Sequence, residues 1–265
     1  MSSMERQNRP NKPKPPQTSW HSVGKWYNAA VGDDGHYYHK QIILPGVLRL
    51  MNLKKHKNAS ILDLACGQGV LARHLPPELP YTGVDAANSL IKEAKKADHN
   101  PLHEYLLNDI TKPLTLKSTY SHATIILALQ NLEFPANAFK NAHTYLEANG
   151  MLVLVLNHPC FRIPRQSSWQ IDEAKKIQYR RLDRYASELK IPIQAHPSKQ
   201  ESSPSTWSFH HPLSTYSRWL REEGFYIELI EEWCSDKTST GSAAKMENRS
   251  REEFPLFLTI VARKH

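Results

Sequence analysis

Ser60-Ile-Leu-Asp-Leu-Ala-Cys-Gly-Gln-Gly-Val-Leu-Ala72 is the stretch around which the rest of the chain is organised. A short apolar run carries an acid near its end and then turns through Gly67 and Gly69. Residues 70–75 follow with helical character, so the stretch predicts a strand, a tight turn and a helix N-terminus. Glycines let a ligand approach the backbone because they lack a Cβ, and the first N–H groups of a helix are unpaired. The pattern therefore predicts a cofactor cradle.

Outward from this turn, predicted strands and helices alternate along the chain. The strands are expected at residues 61–65, 81–85, 104–109, 123–129, 151–156, 225–233 and 256–262. The helices are expected at residues 41–53 (with Pro45 as a kink or restart), 70–75, 90–97 (capped by Asn88 or Ser89), 135–146 and 212–224. Such alternation predicts a Rossmann-like, doubly wound α/β fold with a mostly parallel sheet of seven strands. The polar link 235–251, which we expect to be mobile, predicts a last strand that runs antiparallel.

Three segments fall outside this alternation. Residues 1–18 are rich in Pro, Lys, Asn and Gln, so we expect a disordered tail. The remaining residues, 19–265, form one predicted domain, in which residues 19–55 are an N-terminal cap. Residues 158–210 interrupt the pattern after the fifth strand and are expected to form a lid. Within that lid the apolar spacing predicts a basic helix over 171–189 and a loop over 194–206.

Composition narrows the function classes. The chain has 265 residues, of which 40% are apolar and 23% charged, as in ordinary globular proteins. No apolar run reaches the ~20 residues of a membrane span, and no secretory signal is visible. The three cysteines, Cys66, Cys160 and Cys234, fit no zinc motif and suggest a reducing cytoplasm. The net charge of +8 permits a nucleic-acid partner, although it also fits simple solubility.

The glycine turn alone suits two ligands. Residues 67–72 match G-x-G-x-x-A, and Asp85 follows at the distance of a ribose-binding acid, which fits both NAD and S-adenosylmethionine. Asp63 suits an ammonium-bearing ligand and repels a pyrophosphate. Asp109 can accept from an adenine amine while the N–H of Ile110 donates to a ring nitrogen. The predicted final antiparallel hairpin is also not part of a dinucleotide-binding half of a Rossmann fold. These details favour S-adenosylmethionine.

On these motifs the chain resembles the class I S-adenosylmethionine-dependent methyltransferases, in particular the broad type that includes small-molecule methylases. The matching segments are 63–69, 83–85, 108–110, 127–132 and 149–151. The resemblance implies S-adenosylmethionine as cofactor and a set of cofactor-binding residues: Tyr27, Asp63, Ala65, Gly67, Gly69, Asp85, Asp109, Ile110 and Leu129. Structural roles stay open beside these, because Asp63 could cap the following turn, Asp85 could cap its own helix and Asp109 could be a turn aspartate.

The acceptor is less legible. Methyl transfer needs positioning above all, and a base only when the acceptor keeps its proton. His158 and His210 are the candidate bases, each with an alternative as a hydrogen-bonded structural histidine. Arg162 and Arg165 could pair with an acidic substrate, and residues 36–39 could wall the pocket. We expect methyl transfer to an O, N or C atom of a small molecule. RNA methylation and non-catalytic cofactor binding remain as alternatives, and the oligomeric state is not predicted.

Overall fold

The computed structural model describes residue 32 and residues 35–194 and 205–265. The predicted tail, Tyr27 and most of the predicted loop 194–206 lie outside these residues. A seven-stranded sheet forms the centre, in the order β10-β11-β5-β4-β1-β2-β3. Its strands are β1 (Ile61–Leu64), β2 (Tyr81–Asp85), β3 (His103–Leu107), β4 (Tyr120–Ile126), β5 (Leu146–Asn157), β10 (Phe225–Trp233) and β11 (Phe257–Lys264).

Strand directions confirm the predicted fold class. Every neighbouring pair among β1 to β5 is parallel, whereas β11 runs antiparallel to both β5 and β10. The central strands are almost wholly apolar because helices cover both faces of a parallel sheet. In β5 the side chains of Leu152, Leu154 and Leu156 enter one core layer, and those of Val153 and Val155 enter the other. The period-two alternation of a strand thus divides the core in two.

Five helices complete the layers in the described part of the chain: α1 (Leu44–Met51), α2 (Asn88–Ala97), α3 (Pro135–Tyr145), α4 (Leu213–Glu222) and α5 (Ala244–Glu253). A π-helical turn over His39–Ile43 precedes α1, so Pro45 lies in the first turn of α1, where its missing N–H costs nothing. Neither Asn88 nor Ser89 caps α2, whose N-cap is Ala87. No helix in the described ranges is both long and apolar enough to cross a bilayer.

Three sequence predictions are wrong. Residues 70–75 do not form an α-helix but a turn and the short 3-10 helix Ala72–His74, since Pro76 and Pro77 end any helix at once. The expected basic helix over 171–189 is instead a hairpin. The polar link 235–251 was expected to be mobile, yet it carries most of α5.

The insert after β5 consists of two hairpins. β6 (Ser167–Asp172) pairs with β7 (Ile177–Leu182), and β8 (Leu189–Gln194) pairs with β9 (Ser205–His210). In the first hairpin Trp169 lies opposite Arg180, and the Cζ of Arg180 lies 5.0 Å from the centre of the indole ring. In the turn of that hairpin Lys176 adopts φ 52°, a conformation that ends a helical path. β9 packs against the short helix Leu129–Asn131.

Candidate functional site

A cavity of about 620 Å³ opens at the carboxyl ends of the parallel strands. Its wall contains residues that end or follow β1, β2, β3, β4 and β5 in turn: Ala65, Gly67, Asp85, Asp109, Ile110, Leu127 and Asn157. Ligands of open α/β sheets bind at this edge. The sequence-predicted residues Ala65, Gly67, Asp85, Asp109 and Ile110 are therefore brought together in one wall.

Left-handed backbone shapes this wall. Ala65 (φ 63°), Gly67 (φ 58°) and Leu127 (φ 53°) all have positive φ. The Ala65 N–H donates to the carbonyl of Val84 at 2.7 Å, and the Leu127 N–H donates to that of Val155 at 2.7 Å. The chain therefore turns sharply as it leaves β1 and β4. Such backbone is costly for residues other than glycine and concentrates at functional sites.

Asp85 holds the glycine turn from the end of β2. Its Oδ2 accepts the N–H of Gly67 at 2.9 Å, and its Oδ1 accepts the N–H of Ala87 at 2.7 Å. Burial raises the pKa of this carboxyl, although the backbone hydrogen bonds from Ala87 and Gly67 oppose that rise. Each oxygen retains a further lone pair. Asp85 thus binds two backbone N–H groups, one in the glycine turn and one just before α2, from a position in the cavity wall.

Asp109 shows a similar combination. Its Oδ1 accepts both the N–H of Thr111 at 2.9 Å and the hydroxyl of Thr111 at 2.7 Å, as a turn aspartate does. No protein donor reaches Oδ2, and no protein acceptor reaches the N–H of Ile110, among the described residues. A carboxylate acceptor and a backbone donor therefore stand side by side in the cavity wall.

Asp63 lies one layer deeper. It borders a smaller space of about 40 Å³ that shares Ala65 and Gly67 with the main cavity. Tyr81 Oη donates to Asp63 Oδ2 and Thr124 Oγ1 donates to Oδ1, both at 2.8 Å. Burial raises the pKa of Asp63 to about 6, with hydrogen bonds from both hydroxyls opposing it. The side chain does not cap the following turn, and it places an ionisable acid behind Gly67.

Besides Asp63, two more of the predicted cofactor residues lie outside the wall of the main cavity. Gly69 packs against Tyr105, since a Cβ on Gly69 would lie 2.7 Å from Tyr105 Oη, so its missing side chain serves packing within the protein. Leu129 is fully buried in the core, and its neighbours Ala128 and Gln130 line the cavity instead. The expected helix N-terminus behind Gly67 is likewise absent from the described turn.

The candidate bases are also placed elsewhere. His158 is buried, with Nε2 2.6 Å from Glu232 Oε1, and its Nδ1 accepts the N–H of Cys160. His210 is buried with Nε2 2.7 Å from the carbonyl of Tyr185. Burial lowers the pKa of both imidazoles. Neither residue lines the cavity, and both imidazoles are hydrogen-bonded within the protein.

The opposite wall comes from distant segments. It includes His36, Tyr38 and His39 before α1, Arg162 from the insert, and Phe257 at the start of β11. Only the aromatic cluster 36–39 and the arginine carried a sequence signal. Phe257 carried none, because it reads as the first residue of an apolar strand. The insert adds Pro164, Ile193, Ser208 and Phe209 to this wall.

His39 is distinctive within that wall. The residue is 5% exposed, and no hydrogen bond to either ring nitrogen is found among the described residues. The ring of His36 lies 4.2 Å away, centroid to centroid. Burial, and secondarily the charge of His36, lowers the pKa of His39 to about 4. The imidazole is therefore neutral at physiological pH.

The cysteines and the titratable clusters are the remaining candidates for redox or metal chemistry. Cys66, Cys160 and Cys234 are free. Burial raises the pKa of Cys66 well above its ordinary value, which disfavours a thiolate nucleophile. Within the described ranges, no group of three or more His, Cys, Asp or Glu side chains is arranged to hold a metal ion.

Comparison with known proteins was made on both sequence and structure. The family model described as "Methyltransferase domain" matches residues 35–230. Among curated proteins, the chain is 26% identical over 206 residues to malonyl-[acyl-carrier protein] O-methyltransferase of Halalkalibacterium halodurans. That alignment spans 67% of this chain and 74% of the relative.

Solved structures share the fold. An S-adenosylmethionine-dependent methyltransferase from Mesorhizobium loti superposes with a TM-score of 0.62 at 24% identity, covering 83% of this chain and all of that one. An amino pentose methyltransferase from Micromonospora echinaspora, solved with S-adenosylmethionine bound, gives a TM-score of 0.61 at 16% identity. It covers 91% of this chain and 97% of its own.

Proposed function

The chain belongs to the methyltransferase-domain family and is a class I S-adenosylmethionine-dependent methyltransferase, and we propose that it methylates a small-molecule acceptor. The observation that carries the proposal is the cavity at the strand ends. It joins acidic and backbone groups from β1, β2 and β3 to a wall built by the insert and the N-terminal segment. Its volume falls within the range of small-molecule sites.

The residues of the strand-end wall fit the cofactor. The free lone pairs of Asp85 suit a ribose diol, and Asp109 Oδ2 with the Ile110 N–H suits the edge of an adenine. Asp63 supplies a carboxylate for the ammonium of the methionine part. Ala65 and Gly67 bring the backbone of the turn to the same wall. We therefore propose these five positions and Ile110 as the cofactor site.

S-adenosylmethionine supplies a methyl group on a sulfonium: a bond forms from the acceptor atom to the methyl carbon while the carbon–sulfur bond breaks, and its electron pair stays on sulfur. This chain's residues hold the acceptor in line, which is the main source of rate in such a displacement. The neutral His39 lies in the wall to accept a hydrogen bond from the acceptor. The acceptor atom, O, N or C, stays open in the proposal.

We propose that the insert acts as the lid of the site. Ile193 of β8, with Ser208 and Phe209 of β9, lines the cavity on the side away from the sheet. Lys190 on β8 bonds Glu133 at 3.0 Å and so ties this hairpin to the cavity rim. The β6–β7 hairpin contributes nothing to the lining. A closed lid excludes water and favours a small acceptor.

The basic residues of the insert give little support to an RNA acceptor. They were expected on one helix, but Arg180 and Arg181 point to opposite faces of a hairpin. Arg180 donates to the carbonyl of Phe161 and to Ser167 Oγ, and Arg181 pairs with Asp183 at 2.6 Å. The relative's name specifies an acyl group on a carrier protein, which is compatible with a small acceptor in the cavity. The free thiols also support a reducing compartment such as the cytoplasm.

Calorimetry on the Asp109→Asn variant tests the cofactor site. Asparagine retains Oδ1 for Thr111 but replaces Oδ2 with an amide donor, which would face the adenine amine. We expect S-adenosylhomocysteine to bind about 5- to 100-fold more weakly, with unchanged stability. The control Asp172→Asn lies in the β6–β7 hairpin and should match wild type. Equal affinities would refute this site, and binding of NAD but not of S-adenosylhomocysteine would refute the assignment.

Incubation with methyl-labelled S-adenosylmethionine and a fractionated cell extract tests the acceptor. We expect label in the small-molecule fraction. Label in RNA would replace the proposed acceptor by a nucleic acid. A protein that binds the cofactor but transfers no label to any fraction would be a cofactor-binding protein without the proposed activity.

A further inference from the structure

Arg162 places a guanidinium group in the wall of the cavity. It lies five residues after the end of β5 and lines the cavity together with Asn157, Tyr38 and Phe257. Its Nη1 donates to Asn157 Oδ1 at 2.9 Å, and its Cζ lies 5.7 Å from the centre of the Phe257 ring. These contacts fix the direction of the side chain along one wall.

Among the described residues, the charge of Arg162 has no carboxylate partner. Of its five N–H donors, one has a protein acceptor among the described residues, and no carboxylate there lies within 4 Å. Burial lowers the pKa of the guanidinium, and the charge of Arg180 acts in the same direction. A half-buried cation without a counter-charge is expensive unless a ligand supplies one. The stacking on Phe257 satisfies none of the remaining donors.

The other basic side chains nearby are accounted for. Arg180 uses protein acceptors and does not line the cavity. Arg165 is exposed and also lies outside the lining. Lys112 does line the cavity, but it is exposed and stands beside Asp109 at the opposite end. Within residues 35–194 and 205–265, Arg162 is therefore the one cation in the wall formed by the insert and the end of β5.

Arg162 is remote from the proposed nucleoside end of the site. Asn157, its partner, ends β5, whereas Asp85 ends β2. Two strands, β4 and β1, lie between β5 and β2 in the sheet. At about 4.8 Å between neighbouring strands, this is a separation of about 14 Å. The guanidinium thus faces the part of the cavity that the lid encloses.

We propose that the methyl acceptor is an acid, and that Arg162 binds a carboxylate of the bound acceptor through its free N–H groups. The proposal rests on the proposed methyltransferase function and adds the chemical class of the acceptor. Guanidinium and carboxylate form a bidentate pair in a fixed relative orientation, so the pair would also position the acceptor. Asn157 holds the guanidinium ready for this role.

The variants Arg162→Gln and Arg162→Lys, with Arg165→Gln as the control, test whether Arg162 binds a carboxylate of the acceptor or the carboxylate of the cofactor. Calorimetry with S-adenosylhomocysteine comes first. We expect all three variants to bind it within about twofold of wild type. A tenfold loss in Arg162→Gln alone would mean that Arg162 holds the carboxylate of the cofactor, and the proposal would be overturned. Urea unfolding of each variant checks that the fold is retained, and Arg162→Lys keeps the test valid if the glutamine variant is unstable.

The second arm titrates the complex with S-adenosylhomocysteine using benzoate, glutarate and malonate as probes. We expect at least one probe to bind wild type and Arg165→Gln, to bind Arg162→Gln about 10- to 100-fold more weakly, and to bind Arg162→Lys with intermediate affinity. Equal binding to all four proteins, or no binding of any probe, would overturn the proposal.

The third arm passes a small-molecule extract over an anion exchanger before incubation with labelled S-adenosylmethionine. Acceptor activity should be in the retained fraction, and activity confined to the unretained fraction would refute an acidic acceptor. If S-adenosylhomocysteine does not bind at all, the proposed function fails. The probe titration on the free protein then decides separately whether Arg162 binds a carboxylate.

Discussion

Replacement of Asp63 by asparagine should stabilise the protein while it weakens cofactor binding. Burial raises the pKa of Asp63 from 3.8 to about 6, so the native state holds this proton more tightly than the unfolded chain does. A carboxyl with a raised native pKa opposes folding once both states are ionised. Its destabilising effect is absent near pH 4, grows as the pH rises to 6 and is complete above that value.

The size of the effect follows from the two pKa values. The interval from 3.8 to about 6, at 1.36 kcal/mol for each pH unit, corresponds to about 3 kcal/mol at neutral pH. Asparagine resembles the protonated acid in size and charge. Its carbonyl can accept from one of the hydroxyls of Tyr81 and Thr124, and the other hydroxyl can rotate to accept from the amide. We therefore expect Asp63→Asn to gain up to about 3 kcal/mol in free energy of unfolding at pH 7.

Urea unfolding of both proteins at pH 4 to 8 measures this difference directly. The other titrating groups are common to both proteins, so they cancel in the comparison. The gain should vanish towards pH 4 and level off above pH 6. The control Asp172→Asn should stay within about 0.5 kcal/mol of wild type at every pH. A variant that is less stable at neutral pH, or a difference that does not change with pH, would refute the reasoning.

Cofactor affinity should change in the opposite direction. In wild type, S-adenosylhomocysteine should bind more tightly as the pH rises through about 6, because the ionised Asp63 then faces the ammonium of the ligand. Asp63→Asn should bind it roughly 10- to 100-fold more weakly at pH 7.5, with little change over the same pH range. Unchanged affinity in the variant would show that Asp63 is only a structural acid.

Two further predictions concern Tyr105, which packs beside the glycine turn. Gly69→Ala should lower the free energy of unfolding by about 2–4 kcal/mol in a urea assay, because the new Cβ would lie 2.7 Å from Tyr105 Oη and the backbone has φ 73°. The control Gly241→Ala has φ 93° but no atom within 4 Å of the new Cβ, so it should lose only about 1–2 kcal/mol in the same assay. Burial alone would raise the pKa of Asp98, but hydrogen bonds from Tyr105 and His103, both at 2.6 Å, outweigh it and lower that pKa. Asp98→Asn should therefore lose about 1–3 kcal/mol at pH 7 by urea unfolding, and the loss should shrink below about pH 4, where Asp98 protonates in the unfolded chain before it does in the native state.

The strands of the parallel sheet could be predicted because their burial is nearly complete. The predicted bounds of the parallel strand β2 agree with the structure at both ends, and its first four residues are buried. Central strands covered on both faces require continuous apolar runs, and few other elements in a chain of this kind do. The predicted fold class followed from those runs together with the short connections between them.

The insert could not be predicted in the same way, because its hairpins are not held by a continuous core. Trp169, Ile171, Ile177 and Tyr179 are all more than a third exposed, so apolar side chains stand on both faces of the hairpin. Within each strand apolar and polar residues do alternate, as in Trp169-Gln-Ile-Asp172 and Ile177-Gln-Tyr-Arg180, but only over four residues. The remaining apolar residues fell by coincidence at a helical spacing. With its apolar side chains largely exposed, the hairpin leaves a strand signal too short to outweigh the helical spacing.

The cofactor half of the proposed site was easier to predict from the sequence than the acceptor half. Ala65, Gly67, Asp85 and Asp109 each sit at the end of a strand or in the turn after it, so a short local motif places them at one edge of the sheet. The predictions for this half differed from the structure only at single positions. Gly69, for example, has a positive φ as Gly67 does, but it packs against Tyr105.

The acceptor half has no local motif. Its residues meet only when the N-terminal segment, the insert and the last strands fold together, as in the contact between Tyr38 and Ser235, which are 197 residues apart. Arg162 gives no signal in the sequence that distinguishes it from Arg165, three residues later. What distinguishes it in the structure is a half-buried guanidinium with no carboxylate near it in the described part of the chain. On our proposal, acceptor specificity in this protein depends on the tertiary placement of an ordinary arginine, which no local motif announces.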